Sequence, residues 1–148
     1  MSTQSLIPMK SKCPLEILVV ALVLVAGLSA CEKSVSRADL PLNEVIPIKQ
    51  GQVLENQAAK ITLLMDSVIN DSRCPSDVDC VWAGSAQVRF TFSKGDASLK
   101  FTLNSDISPV DSLVFDYRIE LIELSPGPVS GKPIRQGEYS AKIKVTKD

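Results

Sequence analysis

Ala86, Val88, Phe90 and Phe92 alternate with Gln87, Arg89 and Thr91, so an extended chain places the apolar set on one face and the polar set on the other. Leu99, Phe101 and Leu103 repeat the period of two, and the turn-forming stretch Ser93-Lys94-Gly95-Asp96-Ala97 between the runs predicts a hairpin. Leu113, Phe115, Tyr117, Ile119 and Leu121 give a longer strand. Ile122 and Leu124 then fall on its opposite face, which calls for a bulge or a change of sheet near Leu121. The last run sets Tyr139, Ala141, Ile143 and Val145 against Ser140, Lys142, Lys144 and Thr146. Its basic face predicts a solvated edge strand that resists aggregation.

Earlier in the chain, Val45 to Ile48 and Gln52 to Leu54 are short strand candidates separated by Gly51, and Ile61, Leu63 and Met65 form one face of a strand running towards Ile69. Ser125 to Pro133 is expected to be an irregular loop, because Pro126, Pro128 and Pro133 withhold ladder donors. No segment carries a convincing amphipathic helical period. About seven strands predict an all-β fold, an antiparallel β-sandwich of immunoglobulin-like type, with a small β-barrel as the alternative.

The N-terminal pattern is different. Lys10 and Lys12 precede an uncharged apolar run from Ile17 to Leu28, followed by small Ser29 and Ala30, the layout of a signal peptide. The run is shorter than the roughly 20 residues that a spanning helix needs. Leu28, Ser29, Ala30 and Cys31 resemble the lipobox of bacterial lipoproteins. That resemblance implies cleavage between Ala30 and Cys31, a lipid on Cys31 (diacylglyceryl, with a further palmitate-like chain), and a protein anchored to a membrane rather than crossing it. Glu32 after the cysteine implies an extracytoplasmic position on the outer membrane facing the periplasm if two membranes are present, and on the outer face of the plasma membrane if there is one. The expected organisation is a cleaved signal at residues 1–30, a lipid-anchored tether at 31–43, which is polar and contains Pro41, and a β-sandwich domain at 44–148.

Charge and composition narrow the function. Removing residues 1–30 takes Lys10, Lys12 and Glu16 from 16 basic and 17 acidic residues and leaves a net charge of −2, with no basic field for nucleic acid. The chain has no histidine, which removes Ser-His-Asp and Cys-His catalysis and the commonest zinc or copper ligand. Met65 is the only methionine after the signal, too few for a thioether copper carrier. Ser130 to Pro133 lacks the glycine spacing of a nucleotide-binding loop, and no pair of carboxylates is singled out for hydrolysis.

Chemical character concentrates between Asn70 and Gly84, which holds two cysteines, three aspartates, an arginine and the only tryptophan. With Cys13 in the signal and Cys31 lipidated, Cys74 and Cys80 remain, and outside a cell membrane such a pair is expected to form a disulfide. Its spacing lacks Cys-x-x-Cys geometry, which argues against redox activity. Asp71, Asp77 and Asp79 can supply oxygens to calcium but fall short of an EF-hand; turn-forming aspartates with Arg73 as a salt-bridge partner explain the same residues and are the favoured reading. Trp82 is expected to cap the core beside the disulfide with its N–H on a loop carbonyl, the competing reading being an exposed binding anchor. Gly84 suits a turn or a close backbone approach.

Asp71, Ser72, Arg73, Cys74, Pro75, Cys80, Trp82, Ala83 and Gly84 together resemble the pattern Asp-Ser-Arg-Cys-Pro, spacer, Cys-x-Trp-x-Gly of a group of small exported bacterial domains. The resemblance implies the fold and the disulfide and brings no activity with it. The expected function is a non-enzymatic, lipid-anchored envelope module without a cofactor. It would contact an envelope protein, peptide or wall component through Arg73, Asp77, Asp79 and Trp82. The alternatives are a calcium (Ca2+) module using Asp71, Asp77 and Asp79, and a hydrolase of unknown substrate.

Overall fold

The computed structural model describes residues 37–148. The expected signal segment, Cys31 and the first part of the expected tether lie outside the described residues. Among the described residues nine strands follow one another: β1 (Arg37–Asp39), β2 (Val45–Lys49), β3 (Val53–Asn56), β4 (Ile61–Asp71), β5 (Ala86–Lys94), β6 (Ala97–Asn104), β7 (Asp111–Val114), β8 (Tyr117–Ser125) and β9 (Ser140–Lys147). They form two sheets, one ordered β1-β3-β4-β5-β6 and one ordered β2-β9-β8-β7. The fold is therefore an all-β sandwich and not a closed barrel. Pairing is antiparallel except between β1 and β3.

Period two builds the core. Val88, Phe90 and Phe92 of β5 are fully buried, as are Ile119 of β8 and Ile143 and Val145 of β9. Each such side chain contributes about 1.5–3 kcal/mol relative to exposure. Phe92 and Tyr117 meet across the two sheets with ring centroids 5.5 Å apart, a tilted arrangement that adds to the area term. The expected β5–β6 hairpin turns through Gly95 at φ 57°, where a side chain would be strained.

Four expectations need correction. The count is nine strands rather than about seven, partly because β1 lies inside the expected tether. Leu40, just beyond it, is fully buried, so the folded chain starts before residue 44. The run from Leu113 to Leu121 is two strands: the chain reverses at Phe115, whose φ is 55°, and pairs Val114 with Tyr117. Val114 therefore points inward, and Leu113 and Phe115 are exposed. Finally, β9 lies between β2 and β8. Its lysines decorate the outer face of an interior strand, where Lys142 pairs with Glu123 at 2.7 Å.

Bulges set the remaining registers. One falls between Leu121 and Glu123 of β8, at the place where Ile122 breaks the alternation. β4 carries two, between Met65 and Ser67 and between Val68 and Asn70. The first switches the parity of the strand, so Val68 is buried and Ile69 is half exposed.

Candidate functional site

β4 and β5 extend beyond their last ladder pair into the loop that carries the cysteines. Ser72 N–H donates to Ser85 O at 3.0 Å and Cys74 N–H donates to Ala83 O at 2.9 Å, continuing the antiparallel pairing as far as the disulfide. Gly84 makes this possible. Its φ is 65°, and a Cβ at that position would stand 1.8 Å from Ser72 O, so only glycine lets the two strands close. The Cys74–Cys80 disulfide is present with Cα atoms 5.9 Å apart and ties off the tip.

Arg73 and Asp71 hold the base of the loop. Arg73 Nε donates to Asp71 Oδ1 at 2.9 Å and Nη2 donates to Asp71 Oδ2 at 2.7 Å, a bidentate pair. The same guanidinium donates to Leu124 O at 2.6 Å and Pro126 O at 2.8 Å, and the Tyr139 hydroxyl donates to Asp71 Oδ2 at 3.2 Å. Side-chain exposure is 10% for Arg73 and 12% for Asp71. Burial pushes the Asp71 carboxyl up, yet the hydrogen bonds and charge of Arg73, with the Tyr139 hydroxyl, hold it below the usual carboxylate value. The Asp71 bond raises Arg73 in turn, and burial raises Tyr139. Because Leu124 and Tyr139 belong to the opposite sheet's side of the sandwich, this cluster fastens the two layers at the loop end.

The tip is fastened as well. Ser76 N–H donates to Pro128 O at 3.0 Å, and Ser130 N–H donates to Asp77 Oδ1 at 2.8 Å, which seats the disulfide loop on the β8–β9 loop. Asp77 and Asp79 are exposed. Asp71, Asp77 and Asp79 do not gather: among the described residues no group of three or more His, Cys, Asp or Glu side chains is placed to hold a metal ion.

Trp82 departs most from expectation. It does not cap the core; it is 83% exposed, and Val81 beside it is 90% exposed. The cause is local geometry, since the ladder from Ser72 to Cys74 and the disulfide carry the chain away from the sheet before Trp82 is reached. The indole forms one wall of an open groove of about 420 Å³ whose lining also includes Asn70, Gln87, Asn104 and Ile107. Sequence reasoning missed Gln87, Asn104 and Ile107. The one available signal was Ile107, a lone apolar residue in the polar stretch Ser105 to Ser108 and 58% exposed.

The structure thus brings Asp71 and Arg73 together as a structural clasp, sets Asp77 on the β8–β9 loop, and leaves Asp79 and Trp82 facing solvent. Compared with known proteins, the chain matches no family model, no curated protein and no solved structure.

Proposed function

We propose that this chain is a lipid-anchored, extracytoplasmic binding module that recognises an envelope component through the disulfide-loop end of the sandwich. The observation that carries this is the exposure of Trp82 and Val81 on a loop fastened at its base, its tip and its disulfide. A large indole held in water by a rigid scaffold gains free energy when a partner covers it, and little ordering cost opposes the binding. Of the expected contacts, Arg73 has its donors occupied inside the fold and Asp77 accepts from Ser130 N–H, which leaves Asp79 and Trp82, and exposed Val81 joins them. Three acidic side chains that do not converge lend the calcium reading no support.

Membrane attachment through Cys31, orientation away from the cytoplasm, and the absence of nucleic acid among partners belong to the same proposal; the lipobox motif and the charge of −2 after residue 30 support them. Mass spectrometry of the N-terminal peptide tests lipidation, and Cys31→Ser is expected to release the chain from membranes. The binding test is crosslinking in intact envelopes, comparing wild type with Trp82→Ala. Loss of the crosslinked partner at an unchanged melting temperature is expected; full retention of the partner refutes the loop-end contact.

A further inference from the structure

We infer that the groove beside Trp82 binds a neutral saccharide, with one sugar ring stacked on the indole and its hydroxyls held by Asn70 and Gln87. The inference rests on the loop-end contact proposed above and gives that contact a ligand class.

The lining sets the chemistry. Not one of the nine groove residues carries an ionisable side chain, although charged residues make up 22% of the chain. An anionic or cationic ligand would find no counter-charge there, and its desolvation would go uncompensated. What the groove offers is carboxamide and indole. Asn70 and Gln87 are register partners across β4 and β5; both are exposed, and neither side chain is hydrogen-bonded to another described residue. Each carboxamide presents a donor and an acceptor side by side, which matches adjacent hydroxyls that donate and accept in the same way. The indole supplies a flat apolar surface with a polar edge, suited to the C–H face of a pyranose ring. The volume of about 420 Å³ falls within the range of small-ligand sites, about 300–1,000 Å³.

A peptide fits less well. Extended peptides bind chiefly through unpaired backbone groups at a sheet edge, and on the β6 side of this groove, where the sheet ends, the backbone is already committed. Asn104 N–H donates to Pro109 O at 2.8 Å, and Ser105 N–H donates to Ala86 O at 2.9 Å. Ala86 N–H in turn donates to Ser105 Oγ at 3.0 Å. Recognition here runs through side chains.

Trp82 is the single tryptophan, so its fluorescence reads the site directly. The full-length chain is titrated with two neutral probes, soluble N-acetylglucosamine oligomers and soluble glucose oligosaccharides, and with a sulfated polysaccharide. A saturable blue shift and protection from acrylamide with a neutral probe are expected, with Kd weakened about tenfold or more in Asn70→Ala or Gln87→Ala. Response to the N-acetylglucosamine oligomers alone identifies an N-acetylated glycan as the ligand class; response to both identifies saccharides in general. Silence with both neutral probes up to about 10 mM, a response confined to the sulfated probe, or equal affinity in both alanine variants overturns the inference. The envelope crosslinking of Trp82→Ala separates the two failures. Silent saccharides with a Trp82-dependent crosslink leave the loop-end contact standing with a different ligand, whereas silent saccharides with no such crosslink remove both.

Discussion

Arg73 grips Asp71 two residues before it in the chain and, with the same guanidinium, reaches the carbonyls of Leu124 in β8 of the opposite sheet and of Pro126 just after it. Sequence-neighbour contact and inter-sheet contact are thus one interaction. Removing the arginine strands a mostly buried carboxylate and leaves two carbonyls without donors. Arg73→Ala is expected to cost about 3–5 kcal/mol in urea unfolding, and replacing both partners by apolar residues is expected to cost less than the single change. A loss under about 1 kcal/mol would place the pair among ordinary surface ion pairs.

The same pair predicts acid sensitivity. The Asp71 carboxyl sits below its ordinary value of 3.8 in the folded chain, so the unfolded chain takes up that proton at the higher pH. The stabilisation is fully present above 3.8 and is lost as the pH falls through the folded value. Melting curves of wild type and Asp71→Asn should differ most near neutrality and converge below 3.8. A gap that stays constant with pH would show that folding does not shift the Asp71 carboxyl.

Reduction of the disulfide should loosen the tip and spare the core. A ring this small restricts the unfolded chain by only about 2 kcal/mol, and the loop keeps its bonds from Arg73, Ser76 and Ser130. Amide exchange on Cys74→Ala, Cys80→Ala is expected to speed up from Ser76 to Ala83 while β5 and β8 stay protected. Faster exchange throughout β5 would mean that the bridge supports the whole sandwich.

Gly84→Ala should be far more damaging than its surface position suggests. The added methyl meets a backbone oxygen, not a side chain that can move aside, and the backbone lies in the left-handed region besides. A loss above about 2 kcal/mol in thermal unfolding is expected, together with faster exchange of the Ser72 and Cys74 amides. Wild-type stability would show that the loop closes by another route.

The sandwich, the β5–β6 hairpin and the bulge near Leu121 were legible because each rests on alternation, which the chain prints directly. Where the structure departs from the sequence reading, the physics is non-local or stereochemically unusual. Phe115 adopts a left-handed turn without glycine or proline, so nothing marks the break between β7 and β8. The interior place of β9 depends on which strand arrives beside it, and Lys142 and Lys144 look the same on an edge. β1 hides in a polar segment because only three residues pair. At the site, the cysteines and Gly84 spoke plainly, whereas the exposure of Trp82 follows from how far the hairpin extends past the sheet, and the groove gathers residues from three separate segments.

The parallel pairing of β1 with β3 has a mechanical meaning. A pull applied at Arg37 loads β1 first, whose ladder to β3 spans Arg37 to Asp39. A pull along that axis shears the few hydrogen bonds together rather than unzipping them singly. Once they part, the load falls on Leu40, fully buried and bonded through its N–H to Glu55 O at 3.0 Å. The first strand is thus a short fuse and Leu40 the stop behind it, so a load applied at Arg37 meets both before it reaches β4 and β5, which carry the groove.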